Sequence, residues 1–309
     1  MKFIKMHGCG NDYIYLDAVT TPTIETMIDR PDWPALVRGM SDRHKGVGSD
    51  GVIVVCDPTQ RARREHAHVR MRMFNADGSE SEMCGNGVRC VAKLAHDRLG
   101  IRPRPMLIET GRGVLSIAYE VDDGRLSRAT VDMGEPILDL AAIPVDSKHL
   151  KPAGTRHSHA WFIEGFKGGS WTFVSMGNPH AVLVSGDVGE GEGSSRGVAK
   201  GRLEEWGEAI EKHPAFPRRT NVHFLKNISR GRVELVTWER GAGITQACGT
   251  GACAALVACV VTGQMDREAM IRVLGGELHV RWDEPTSHVF MTGEAAEVFS
   301  GEWPVDLMP

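Results

Sequence analysis

Met83-Cys84-Gly85-Asn86-Gly87-Val88-Arg89-Cys90 and Ala247-Cys248-Gly249-Thr250-Gly251-Ala252 set a cysteine twice in one four-residue frame, and each frame opens onto a small, apolar, helix-compatible stretch. The two cysteines are 164 positions apart (248 minus 84), and the same offset pairs Phe74 with Trp238, Asn75 with Glu239, Gly111 with Gly275 and Val114 with Leu278. The register holds without insertion from about Val69–Leu115 against Val233–His279, and Gly10-Asn11 matches Gly177-Asn178 at an offset of 167. Solenoid repeats recur every ~20 to 50 residues, so a period this long reads as two copies of one domain.

Around the frames, apolar runs such as Phe3-Ile4-Lys5-Met6, Val52-Ile53-Val54-Val55, Val69–Phe74, Val114–Ile117 and Val131-Asp132-Met133 read as strands. Helical stretches are fewer: Gly87–Leu99, Leu203–His213 and Gly251–Thr262. Many short strands with one central helix per half predict an α+β fold of two pseudo-symmetric domains, each a strongly curved, mostly antiparallel sheet or barrel around its helix. The boundary is expected near Gly124-Arg125-Leu126-Ser127, giving one half of residues 1–127 plus 296–309 and another of residues 128–295. The last strand, near Val298–Trp303, is expected to return to the first half. Residues 185–201, rich in glycine, serine and charge, predict a mobile surface loop, and residues 141–170 read as edge hairpins and loops.

A chain of 309 residues suits two domains, and a hydrophobic content of 41% is ample for two cores. A formal net charge of -4 with pI near 6.4 argues against a nucleic-acid surface and favours a small-molecule partner. The cluster Arg61, Arg63, Arg64 reads as a solvated turn. The opening Met1–His7 lacks the apolar core of a signal peptide, and the longest apolar run, Ala252–Val261, is far short of the ~20 residues that span a bilayer. A cytoplasmic chain without a membrane partner is the expectation.

Seven cysteines, an odd number in a long chain, disfavour a disulfide framework, and no Cys-x-x-Cys pair offers zinc spacing. His66-Ala67-His68 and His157-Ser158-His159 bring no further ligand cluster, so no metal is expected. Gly46-Val47-Gly48-Ser49-Asp50-Gly51 fits a dinucleotide fingerprint only as letters, because it precedes the strand Val52–Val55 instead of following one. Asn227-Ile228-Ser229 is a glycosylation sequon that stays silent in a cytoplasmic chain.

A cysteine opening a helix feels the positive end of the helix dipole, which favours thiolate. The neighbouring glycines let the backbone N–H groups of Gly85, Asn86, Gly249 and Thr250 approach an anion closely. Two such ends offered to one substrate would put a sulfur on each face of an α-carbon and amide donors on its carboxylate, where they stabilise a developing carbanion. That chemistry is racemisation or epimerisation. Cys9, Cys56, Cys90, Cys253 and Cys259 lack the frame and read as packing residues.

With Met6-His7-Gly8-Cys9-Gly10-Asn11-Asp12, Phe74-Asn75-Ala76-Asp77-Gly78-Ser79, Gly177-Asn178-Pro179-His180, Arg219-Thr220-Asn221-Val222 and Glu239-Arg240-Gly241, the two frames make a set that resembles diaminopimelate epimerase from the N-terminus to about residue 282. The resemblance implies a cofactor-independent epimerase in which Cys84 and Cys248 are acid and base, with the role of each left open. It implies that Gly85, Asn86, Gly249 and Thr250 hold the reacting carboxylate, and that Asn11, Asn75, Asn178, Asn221 and Arg240 bind substrate, several at its distant amino acid end. It also implies that His180 and Glu239 hold the amino group or tune the thiols, and that a homodimer is possible. The chain departs from the family at Gly51, where some members carry a substrate-side Gln, at Ile244-Thr245-Gln246, and in an apparent insertion at residues 188–202. Two alternatives remain at this level: another cofactor-independent racemase, of the proline or hydroxyproline type, and a non-catalytic redox or metal-binding thiol protein.

Overall fold

The computed structural model describes residues 1–154, 159–166, 169–185, 200–226 and 228–304. His157, Asn227 and most of the segments 185–201 and 188–202 singled out above lie outside the described residues. The chain divides into two compact units, Met1–Asp132 with Thr292–Pro309, and Met133–Met291.

In chain order the first unit holds β1 (Lys2–Gly8), β2 (Asn11–Asp17), α1 (Thr23–Ile28), α2 (Trp33–Ser41), β3 (Gly51–Cys56), α3 (Gln60–Arg64), β4 (Val69–Asn75), β5 (Glu80–Ser81), α4 (Gly85–Asp97), β6 (Met106–Thr110), β7 (Gly113–Asp122) and β8 (Arg125–Asp132). After a 3-10 turn at Ser147–His149 come β9 (Leu150–Pro152), β10 (Trp161–Ile163), β11 (Ser170–Ser175), β12 (Pro179–Ser185), α5 (Lys200–Glu211), β13 (Asn221–Lys226), β14 (Arg232–Glu239), β15 (Gly243–Ile244), α6 (Gly249–Val261), β16 (Glu268–Val273), β17 (Gly276–Trp282) and β18 (Val289–Glu294). The final strand, β19 (Ala296–Glu302), pairs antiparallel with β1 and so belongs to the first unit.

The pairing pattern of one unit is repeated in the other. β1–β2 and β11–β12 are antiparallel, β2–β3 and β12–β13 parallel, β3–β4 and β13–β14 antiparallel, β4–β6 and β14–β16 parallel, β6–β7 and β16–β17 antiparallel. Parallel neighbours need a crossover, and α4 and α6 supply one each, carried across the inner face of the sheet. In the first unit α4 touches both β1 and β8, which are six strand spacings apart, roughly 29 Å on a flat sheet, while a helix is only about 10–12 Å across. The sheet therefore curves around its helix, as the α+β reading expects.

Helices also cover the outer faces. Val52 and Val54 of β3 join Ile14, Leu16, Trp33, Leu36 and Met40 in one core, so Ile53 points the opposite way, towards α4. This two-sided cover is why Gly51–Cys56 is buried at every position and reads as a continuous apolar run. In the second unit Ala181, Leu183, Val222 and Phe224 pack with Leu203 and Ile210 of α5, leaving His180, Val182 and His223 on the face towards α6.

The sequence boundary near Gly124–Ser127 is instead a hairpin. Asp123 and Gly124 both have positive φ, 47° and 75°, as a two-residue turn between antiparallel β7 and β8 requires, and the first unit continues to Asp132. The chain re-enters that unit at Thr292, ahead of position 296.

Candidate active site

Each thiol frame follows a short strand, β5 or β15, and caps a buried helix. Cys84 is the N-cap of α4 with φ -132° and ψ 118°, and Cys248 is the N-cap of α6 with φ -113° and ψ 106°. The helix ladder begins at Val88 N–H to Cys84 O and Ala252 N–H to Cys248 O, both 2.9 Å. Donors earlier in each first turn, at Gly85, Asn86, Gly249 and Thr250, therefore point out of the helix end with its positive dipole.

The fourth residue of each frame is a glycine on which a β-carbon would be crowded. A β-carbon on Gly87 would sit 2.6 Å from Ile53 Cδ1, and one on Gly251 would collide with His223 Cε1 while lying 3.0 Å from His223 Nδ1 and 3.1 Å from Cys248 Sγ. A side chain from the neighbouring strand thus presses on each helix start, apolar in the first half and imidazole in the second.

In the first half Cys84 Sγ is served in both protonation states. As a thiol it donates to Asn11 Oδ1 at 3.3 Å; as a thiolate it can accept from Gly87 N–H at 3.4 Å and from the Tyr13 hydroxyl at 3.7 Å. Burial, followed by the neighbouring Cys84, pushes the Tyr13 phenol well above its usual range, so it remains a donor. Asn11 also accepts from Asn86 Nδ2 at 3.5 Å, and its own Nδ2 donates to Asp50 Oδ2 at 2.6 Å, which fixes the amide with its oxygen towards the sulfur. Arg43 holds Asp50 Oδ1 at 2.8 Å and Asp12 Oδ1 at 2.7 Å. Asn75 donates to Ser79 Oγ at 3.0 Å, and its backbone pairs with Gly51. Gly51 has φ 156°, and a β-carbon there would run into Phe74 O, so this backbone leaves no room for a glutamine.

In the second half Cys248 Sγ lies 3.5 Å from Thr250 Oγ1. Beneath the helix start, His180 Nδ1 meets His223 Nε2 at 2.8 Å, His180 Nε2 meets Asn178 Oδ1 at 2.8 Å, and His223 Nδ1 meets Thr237 Oγ1 at 3.0 Å. Burial drives the His223 pKa down to about 3; burial, then His223 and Arg240, hold His180 well below its ordinary value. Asn221 engages both amide atoms with main chain, donating to Pro179 O at 3.0 Å and accepting from Arg240 N–H at 2.9 Å, so it ties the start of β12 to the end of β14. Glu239 accepts from Thr245 Oγ1 at 2.6 Å. The loop bearing Arg240 is braced by buried Glu211, which accepts from Trp238 Nε1 at 2.7 Å and Gly241 N–H at 3.0 Å.

The other cysteines differ in kind. Burial pushes Cys56 and Cys259 up to about 12 and Cys90 up to about 11, and it raises Cys9 despite Arg89 Nη2 at 3.8 Å. Of the residues nominated from sequence, Asn11 contacts Cys84 and Asn86, and Thr250 contacts Cys248; Asn75 bonds Ser79, Asn178 bonds His180, Asn221 bonds the Arg240 main chain and Glu239 bonds Thr245. Sequence reasoning missed Tyr13, Asp50, His223, Thr237 and Glu211. Offsets of 167 from Tyr13 to His180 and 170 from Ile53 to His223 carry the repeat register into these positions, a signal hidden because the residue types differ.

Among solved structures, the fold is similar to that of a probable proline racemase from Agrobacterium radiobacter K84, with a TM-score of 0.64 and 15% identity over 99% of this chain and 93% of that one. It is also similar to a methylitaconate-delta-isomerase, with a TM-score of 0.60 and 16% identity over 97% of this chain and 95% of that one. The protein is thus of the two-half fold to which these isomerase structures belong, here with a thiol at each helix start. Its sequence is 44% identical to the diaminopimelate epimerase of Desulfovibrio desulfuricans over 98% of each chain, and 42% identical to that of Agathobacter rectalis over 98% of this chain and 99% of the relative. The diaminopimelate epimerase profile matches residues 3–138 and 172–298, passing over the stretch that holds β9 and β10, and the chain belongs to that family.

Proposed function

We propose that the chain interconverts LL- and meso-diaminopimelate without a cofactor, as an isomerase supplying lysine and peptidoglycan precursors. One cysteine of the pair Cys84 and Cys248, as thiolate, takes the α-proton. The C–H electron pair passes into the carboxylate-stabilised carbanion, and the other cysteine, as thiol, returns a proton to the opposite face. No electron is gained or lost, and the two sulfurs end with exchanged protonation. The observation that carries this reading is the cysteine N-cap of each central helix, duplicated with its glycine frame in a member of this family.

Helix-end amides at Gly85, Asn86, Gly249 and Thr250 stabilise the reacting carboxylate as charge moves onto it. Asn11, Asn75, Asn178, Asn221 and Arg240 bind substrate, with Arg240 suited to the distant carboxylate, and His180 and Glu239 serve the amino group or the thiols. We place the reaction in the cytoplasm, which agrees with seven free cysteines, and the working unit as a homodimer. Among the described residues no helix is long and apolar enough to cross a membrane.

Incubation with LL-diaminopimelate in D2O without added cofactor is expected to place deuterium at one α-carbon. Arg240→Ala is expected to raise KM for diaminopimelate more than it lowers kcat. Absence of label at high enzyme concentration would remove the proposal, and faster turnover of proline, unaffected by Arg240→Ala, would replace it with the cyclic-substrate alternative.

A further inference from the structure

The inner face of the second half carries a chain of hydrogen bonds that runs from a buried hydroxyl to a surface-facing amide: Thr237, His223, His180, Asn178. Both imidazoles are fully buried, and burial keeps both neutral. A neutral imidazole has one N–H and one lone pair, so a ring with a partner on each nitrogen cannot choose its tautomer independently of its neighbours. With Asn178 Oδ1 facing the ring, His180 carries its proton on Nε2 and accepts at Nδ1. His223 must then donate from Nε2 and accept at Nδ1, and the Thr237 hydroxyl is the donor that completes the series.

The series can reverse only as a whole. Were Asn178 to turn its amide over, His180 would have to donate from Nδ1, His223 from Nδ1 in turn, and Thr237 would accept. The tautomers of two buried rings and the orientation of one amide are therefore a single variable. In the first half the matching positions are Tyr13, Ile53 and Met73, at offsets of 167, 170 and 164, and offer no such relay.

We propose that His223, backed by Thr237, is a positioning residue for the second half: it holds His180 as the Nε2–H tautomer and so makes Asn178 present its Nδ2 donor, and not its oxygen, to a substrate carboxylate. The proposal rests on Asn178 as a substrate ligand, read above. It assigns His223 no contact with substrate. It also gives two near-equivalent thiol frames an unequal neighbour, which a substrate with one reacting and one non-reacting end requires.

The test combines imidazole 15N NMR of the substrate-free protein with steady-state kinetics on LL-diaminopimelate. In the wild type both His180 and His223 are expected as Nε2–H. His223→Leu breaks the series and is expected to leave His180 a mixture of tautomers and raise KM roughly tenfold, with a smaller change in kcat. His223→Gln, whose amide both donates and accepts, is expected to restore most of the loss. A wild-type His180 protonated on Nδ1, or wild-type KM in His223→Leu, would overturn the proposal; so would a Gln variant as impaired as the Leu variant, since the ring would then only fill space. Because the NMR arm needs no turnover, a failure of the tautomer assignment stays distinct from a failure of the epimerase reading, which the deuterium label decides.

Discussion

The glycines at the fourth position of each frame, Gly87 and Gly251, give an unequal pair of substitutions. Alanine in place of glycine inside a helix is worth up to about 1 kcal/mol in propensity, so Gly87→Ala and Gly251→Ala start with the same gain. They differ in what the new methyl meets. At Gly87 it meets the terminal Cδ1 of Ile53 at 2.6 Å, a flexible end that another rotamer can withdraw, and Cys84 Sγ is at 3.7 Å, an ordinary contact. At Gly251 it meets the His223 ring, held by hydrogen bonds at both nitrogens, and comes within 3.1 Å of Cys248 Sγ. Overpacking a rigid site costs about 1–3 kcal/mol, so Gly251→Ala should come out destabilised by up to about 2 kcal/mol while Gly87→Ala stays near neutral. At about 2–4 °C per kcal/mol, thermal unfolding of the Gly251 variant should fall by several degrees. Proton exchange should fall with it, because the sulfur is displaced. A double-mutant cycle with His223→Ala isolates the clash: the two changes should be non-additive by more than about 0.5 kcal/mol, since the smaller side chain removes the obstacle. Equal melting temperatures for the two glycine variants, or strict additivity with His223→Ala, would refute the reasoning.

Two further outcomes follow from the neighbours of the thiols. Tyr13→Phe removes a hydroxyl 3.7 Å from Cys84 Sγ that favours the thiolate, so alkylation of Cys84 by iodoacetamide at neutral pH, in a Cys248→Ala background, should slow about three- to tenfold; an unchanged rate would exclude the phenol as a thiolate partner. His223 is held neutral in the fold down to about pH 3 but protonates near 6.5 when unfolded, so below 6.5 the unfolded state binds more protons and stability falls with falling pH, by about 2 kcal/mol at pH 5 for this ring alone. Urea unfolding at pH 7 and pH 5 should show that loss, and His223→Leu should lessen it; an identical slope in the variant would show that the ring is not the titrating group.

The frames were legible because the same Cys-Gly-x-Gly pattern opens a helix in both halves at a fixed offset of 164 residues. The strands of the outer core were legible for a different reason: two-sided cover by helices demands unbroken apolar runs such as Gly51–Cys56. The tuning residues were not. Tyr13 has as its counterpart His180, which the family resemblance did nominate, at matching positions on β2 and β12, and His223 has as its counterpart Ile53 on β13 and β3, so the repeat register is hidden by a change of residue type in each pair. Lys93 and His96 of α4 show the same limit. They are buried, with Asp97 Oδ2 2.8 Å from Lys93 and Asp97 Oδ1 2.7 Å from His96, while the corresponding positions of α6 are Val257 and Val260, so helix periodicity alone could not mark α4 as an interior helix. The turn at Asp123-Gly124 drew the expected boundary a few residues early, because turn residues look alike inside a hairpin and between units.

The pairing of β1 with β19 sets an order of events during synthesis. The second unit is contiguous, Met133–Met291, and its strands are all available once that stretch has left the ribosome. The first unit has its opening strand from the start but lacks that strand's outer neighbour until residues 296–302 appear, a wait of roughly 15–60 s at about 5–20 residues per second. For that interval the unpaired rim of β1 is open to other nascent chains, and the half built first is the half finished last.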